Sequence, residues 1–408
     1  MKKYLLYACC ILALMVSCGP DQPRKTTLTW WHFWTDTEIK PVIKEIVAEF
    51  ERSHPEVRVE LVDLTWADGH DKIAIAFSSG TAPDVVELGS DWIPEFSSTG
   101  HLYDLTTVID SLKDKYMMWD PGLYKARAYA FPWILGTRVL FANRALLAES
   151  GLSPDLSPAD WDQLYDASAT IREKISGVYG FGSNAAERHR LYKKFLPFLW
   201  SNGGNILSED GKTCVLDSPE AIASLEYYLR LCRTGLTDTQ RRLEDAFIEG
   251  IIGFVISGDW LLKRIGLERP NLDFSTCRIP PPRTGMPSVS FAGGEYLAIN
   301  AKSPHTALAF ALVRHICSPE NQLRFCLKNR SANPSAKEVA SDTVFLSQPH
   351  FDTFVRQMET SRMPPVHPQW VYIEGILEKA IESALYGAKT PAQALREAAA
   401  EMREIIAR

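Results

Sequence analysis

The chain has 408 residues, which suggests two or three domains at roughly 100–200 residues each. Its hydrophobic fraction of 46% and charged fraction of 23% exclude a disordered, collagenous or coiled-coil protein. The net charge is −6, and more negative still without Lys2 and Lys3, so nucleic acid is not expected as a partner: phosphate binding needs a basic face.

Residues 1–17 read as a secretory signal peptide. Lys2 and Lys3 precede an apolar run, Tyr4 to Val16, that is shorter than the ~20 residues a membrane span needs. The run ends in Met15-Val16-Ser17-Cys18, a small residue before Cys, which resembles a bacterial lipobox despite Met15 in place of the commoner Leu. That resemblance implies cleavage before Cys18, acylation of its thiol and attachment to a membrane. Residues 18–25 are then the lipidated Cys and a short polar tether. Later apolar stretches such as Ile251–Ile256 have only strand length.

Thr27 to Phe33 reads as a first strand. Thr35-Asp36-Thr37-Glu38 is a capping-box pattern heading a helix from about Glu38 to Arg52, with Ile39, Ile43, Ile46, Val47 and Phe50 on one face. His54-Pro55 ends it. Val57 to Asp63 alternates with period two and is a second strand; a helix over Asp71–Ser78 and a third strand over Asp84–Leu88 follow. This order argues for an α/β layer with a parallel sheet. Farther along, Ser157-Pro158, Ser218-Pro219, Ser303-Pro304, Ser318-Pro319 and Thr390-Pro391 each set a hydroxyl before Pro, the pattern of a helix start. Thr390 to Gln393 also forms a capping box. Short strands are expected at Val139–Phe141, Ile251–Ile256 and Glu295–Asn300. Ala130–Gly136 and Arg278–Gly285, rich in Pro, Gly and extended residues, read as crossings between two lobes. One lobe is expected over 26–135 and 278–328, the other over 136–277 and 329–408.

After the signal and Cys18, five Cys remain: Cys214, Cys232, Cys277, Cys317 and Cys326. Their number is odd and no metal spacing is present, so most are expected as plain buried residues, with no metal and no cofactor. No GxSxG, HExxH, Walker A or GxGxxG motif occurs, so no catalytic residue is assigned.

The order of motifs resembles the family 1 extracellular solute-binding proteins of ABC sugar importers, the maltose- and trehalose-binding kind. Seven segments carry the resemblance: Ala76–Val86, Tyr129–Trp133, Leu140–Leu152, Pro158–Leu164, Phe247–Trp260, Gly293–Ile299 and Ser318–Gln322. The segment Asn329–Pro334 departs from the Pro-Ala-Arg-like turn of many members. The resemblance implies a two-lobed periplasmic-binding-protein fold (type II-like), each lobe a mainly parallel sheet flanked by helices, with a hinge between. It also implies a monomer that captures carbohydrate and delivers it to the transmembrane subunits of a permease, without being an enzyme.

A sugar offers hydroxyls in the ring plane and apolar C–H faces above and below. Flat aromatics suit the faces; Asp, Glu and Arg suit the hydroxyls. Ligands of open α/β sheets sit beyond the strand C-termini. Those loops hold Trp31, Trp34 and Asp36 after the first strand, Asp91 and Trp92 after the third, and Asp259 and Trp260 after Ile251–Ile256. Trp133 lies in the first crossing, and Tyr296 in Gly293-Gly294-Glu295-Tyr296. Carried over from the family, Asp91 and Glu295 would accept hydroxyls, Gly294 would offer its backbone, Trp260 would stack and Arg362 would donate. One of Trp30 and Trp31 must face the core, Asp259 has a helix cap as its plainer role, and Trp66, Trp119 and Trp161 read as structural. Two other functions compete. A polyol or polyamine ligand suits acids beside Trp faces, whereas an anionic ligand does not suit loops that look acidic and aromatic. A secreted glycoside hydrolase would need a carboxylate pair that no motif places.

Overall fold

The computed structural model describes residues 25–185, 187–330 and 332–407. The expected signal peptide and Cys18 lie outside the described residues. Among them, no helix is long and apolar enough to cross a membrane.

Alternating residues form β1 (Thr26–His32) and β2 (Val57–Asp63), and a wholly buried run forms β3 (Val85–Gly89); the three are parallel to one another with β1 between the other two. A short hairpin, β4 (Leu123–Tyr124) with β5 (Arg127–Ala128), precedes β6 (Ala130–Thr137). The chain then passes through Arg138 alone into the second sheet: β7 (Val139–Asn143), β8 (Tyr179–Asn184), β9 (Leu236–Asp238), β10 (Ile252–Ser257) and β11 (Phe274–Cys277). It returns to the first sheet as β12 (Ser290–Ile299), β13 (Asn333–Pro334) and β14 (Ser361–Arg362).

The first sheet runs β13-β6-β12-β3-β1-β2 with β14 beside β12; the second runs β11-β7-β10-β8-β9. The molecule is therefore the expected two-lobed α/β protein, but its sheets are mixed rather than mainly parallel. β12 runs antiparallel to β3 and β6, and β7 runs antiparallel to β10 and β11. The cause is connectivity. Parallel neighbours need a helical crossover, whereas β6, β7, β11 and β12 are the strands by which the chain passes between the lobes.

The helix Lys40–Ser53 buries Val42, Ile43, Ile46, Val47 and Phe50 on the first sheet, in a core shared with Trp30, Phe131 and Trp133. The second core is built by the helices Leu191–Ser201, Pro219–Cys232, Trp370–Leu385 and Pro391–Ile406. Boundaries differ from those expected. Ala130–Gly136 belongs to β6, so the first crossing is Arg138. The residues just after 328 do not leave the first lobe: Asn333 pairs with β6, and Val339 and Phe345 pack in its core. The helix Phe351–Met358 spans the junction, with Phe351 in the first core and Phe354 in a separate cluster on the second sheet with Phe141 and Phe247. The five cysteines among the described residues are buried and free.

Candidate functional site

A cavity of about 460 Å3 lies between the lobes. It opens where β1, β3 and β10 end, so the residues just past those strands form its walls. The first lobe supplies Trp34, Asp36, Asp91, Trp92, Gly294 and Glu295; the second supplies Asp259 and Trp260. Eight of the twelve expected ligand residues thus share one cavity.

Their surroundings differ. Asp91 is 7% exposed and already engaged: the Tyr192 hydroxyl donates to it at 2.7 Å and Lys193 pairs with it at 3.0 Å. Although burial opposes the charge, Lys193 and the hydroxyl hold its carboxyl below the usual range. Asp36 pairs with Lys263 at 3.1 Å. Each of these bonds joins one lobe to the other. Glu295, partly buried, has no hydrogen-bond or ionic partner among the described residues, and desolvation together with the charge of Asp259 pushes it up to about 7. Asp259 stands at the N-cap of its helix but makes no side-chain capping bond; it accepts from Asn333 at 2.7 Å across the cleft, and burial pushes it up to about 7. Glu295 and Asp259 are the acceptors left for a ligand.

Trp260 is fixed from behind. Glu244 accepts from the indole N–H at 2.5 Å, from Gln240 at 2.6 Å and from Ser257 at 2.9 Å, and pairs with Arg264 at 3.1 Å. The ring also lies on Gly258, where a Cβ would come within 2.0 Å of it. The Arg138 guanidinium stands over this ring at 4.5 Å and over Phe291 at 5.4 Å. Loss of water pulls Arg138 down to about 10. Lys194 is 4% exposed and donates to the Ile256 carbonyl at 2.8 Å; burial holds it well below the usual lysine range.

Four expected ligand residues lie elsewhere. Trp133 is 1% exposed and packs edge-on against Trp30 at 5.7 Å in the first core. Tyr296 is fully buried, its hydroxyl donating to the Met118 carbonyl at 2.5 Å. Trp31 packs beside Phe33 and Trp66 on the opposite side of the sheet from Trp30. Arg362 is exposed and lies over Trp200 at 5.3 Å. Gly294 lines the cavity, but its backbone is occupied: its carbonyl accepts from Ser90 N–H at 2.9 Å and its N–H donates to Ser90 Oγ at 3.3 Å. Its lack of a side chain serves packing instead, since a Cβ would sit 2.3 Å from the Ile134 carbonyl. Trp66, expected as structural, is a cavity wall stacked on Phe33 at 4.1 Å.

The basic side of the cavity was not anticipated. Arg138, Lys193 and Lys194 line it, so the wall is not only acidic and aromatic. No loop motif marks them. The available signal was Lys193-Lys194 inside the apolar run Leu191–Trp200, where one of two adjacent charges must turn inward.

The family model for bacterial extracellular solute-binding protein matches residues 35–323. The galactooligosaccharide-binding protein of Bacillus subtilis is 24% identical, with 98% of this chain and 96% of that protein covered. Among solved structures, an ABC transporter solute-binding protein of Thermotoga lettingae bound with alpha-D-tagatose aligns with a TM-score of 0.85 at 22% identity, covering 94% of this chain and 100% of that one. The cyclic alpha-maltosyl-1,6-maltose binding protein of Arthrobacter globiformis gives a TM-score of 0.81 at 23% identity over 94% and 99% of the two chains. Those likenesses bear on the fold. The family match spans well over half of the chain, and with it the chain belongs to the bacterial extracellular solute-binding proteins.

Proposed function

We propose that this protein captures a carbohydrate between its lobes outside the cytoplasm and hands it to the permease of an ABC importer, tethered as a monomer through acyl chains on Cys18. The observation that carries this is the cavity wall, where the aromatic rings of Trp34, Trp66 and Trp260 stand beside Glu295, which has no partner among the described residues, and Asp259, which is bonded to Asn333 through one oxygen. Aromatic faces suit sugar C–H surfaces, and carboxylates suit paired hydroxyls. Sugar names among relatives and structural neighbours point the same way. A polyamine fits poorly, because it would meet Arg138 and Lys194 in the same cavity. The role is capture rather than catalysis, in keeping with the family and its neighbours.

Calorimetric titration with mono-, di- and oligosaccharides, with spermidine as control, tests the proposal. Micromolar or tighter binding of a sugar (about −8 kcal/mol) is expected. Spermidine binding without sugar binding would replace the ligand class.

A further inference from the structure

We infer that the carbohydrate this cleft takes carries a carboxylate, gripped by Arg138 with Lys194 beside it. The inference deepens the carbohydrate reading and rests on it. Arg138 has no acid within ion-pair distance among the described residues, and its one hydrogen bond goes to the neighbouring Thr137 carbonyl at 3.2 Å. Its guanidinium stands over the rings of Trp260 and Phe291, 4.5 and 5.4 Å from their centroids. A planar guanidinium presents its N–H groups as a fork that matches a planar carboxylate. Lys194 repeats the pattern: it lies 5.9 Å from the Trp260 ring, buried, with only the Ile256 carbonyl as its hydrogen-bond partner among the described residues.

Contrast with the other cations of the cavity supports this. Lys193 is spent on Asp91, Arg264 on Glu244 and Asp245, and Arg188 on Asp71. Arg138 and Lys194 alone among these line the cavity without a direct ion pair; Asp259 and Glu295 act on Arg138, and Glu244 on Lys194, only at longer range, and a desolvated charge is costly until something opposite meets it closely. The acids Glu295 and Asp259 line the same cavity without pairing to either cation. One ligand that separates these groups satisfies all four: its carboxylate meets Arg138 and Lys194, and its hydroxyls meet Glu295 and Asp259. The two acids also disfavour a dianionic phosphate ester. A uronic acid residue has the required chemistry.

The test is calorimetric titration of the protein with digalacturonate, cellobiuronate and dimannuronate, each beside its carboxyl-reduced neutral counterpart and a sugar phosphate. At least one uronide is expected to bind tenfold or more tighter than its neutral counterpart, with the margin shrinking as salt rises. Arg138→Gln should erase that margin by weakening the uronide at least tenfold more than its neutral counterpart, Arg138→Lys should restore part of it, and Lys194→Gln should narrow it severalfold. Equal or tighter binding of the neutral sugars overturns the inference and leaves the carbohydrate reading standing. So does a loss in Arg138→Gln that is the same for charged and neutral sugars, or preference for the sugar phosphate. Silence from every sugar overturns both.

Discussion

Glu295 owes its position to the alternation of side chains along β12, so the acid faces the cavity while the tyrosine beside it goes fully into the core. The irregularity in this pairing lies in β6, where Trp133 has no partner between Pro132 and Ile134. Burial without a partner then decides the chemistry of Glu295. Its carboxyl is pushed from 4.5 up to about 7, whereas in the unfolded chain it ionises near the lower value. Its contribution to stability is fully present below that lower value and is lost as pH rises through 7, because the unfolded state gives up the proton first. Glu295→Gln stays neutral throughout. Calorimetric unfolding of the sugar-free protein should therefore show the wild type losing on the order of 1–3 kcal/mol relative to Glu295→Gln between pH 5 and pH 8. Sugar affinity should fall severalfold in the same variant, about the worth of one neutral hydrogen bond, because Gln offers one acceptor oxygen where the carboxyl offers two. A variant with the wild-type pH profile would show that this carboxyl is not held neutral. The side chains past strand ends were legible because strand termini locate a cleft. Trp133 and Tyr296 were not, since inward or outward pointing depends on register, which composition and spacing leave open.

At the scale of elements, local rules were readable where local chemistry alone decides. Ser218, Ser318 and Thr390 cap the helices beginning at Pro219, Pro319 and Pro391 through bonds to the third backbone N–H. Ser157-Pro158 and Ser303-Pro304 resemble them in sequence but start no helix at those prolines. The first gives way to Asp160, which caps the helix from Trp161. In the second, Ser303 donates to Asp84 in a tertiary bond at 2.5 Å, and the helix begins at Thr306. The expected box at Thr35–Glu38 fails similarly: the helix begins at Lys40 with Pro41 in its first turn, leaving Asp36 to reach Lys263. Thr390 forms the full box, with Gln393 N–H donating to its hydroxyl at 3.3 Å and the Gln393 side chain accepting from its N–H at 3.2 Å. The helix it starts buries Leu395, Ala398, Ala399 and Met402 in the second core. Thr390→Ala should cost about 1 kcal/mol in a denaturant titration, with sugar affinity unchanged because the cap is remote from the cleft walls. A shift in affinity would mean that this helix takes part in lobe closure.

Across the whole molecule, the lobes are joined by bonds that bridge the cleft: Tyr192 and Lys193 to Asp91, Lys263 to Asp36, and Asn333 to Asp259. The Arg188–Asp71 pair joins them too, but both partners are more than half exposed and water screens it. Asp91 is the strongest of these joints, because it is buried and takes a hydroxyl and an ammonium at once. A bond between lobes favours the closed arrangement whether or not a sugar is present, and apparent affinity scales with the population able to hold the ligand. Asp91→Asn should therefore weaken binding roughly tenfold, and by the same factor for every sugar that binds, because the lost bond belongs to closure. Had Asp91 served mainly as a hydroxyl acceptor, the loss would differ between sugars according to the hydroxyl each presents there. Titrating two sugars of different stereochemistry into wild type and Asp91→Asn separates the two cases. Small-angle scattering of the sugar-free variant supplies the independent check, where a larger radius of gyration than wild type is expected and an unchanged one would remove Asp91 from the closing joint.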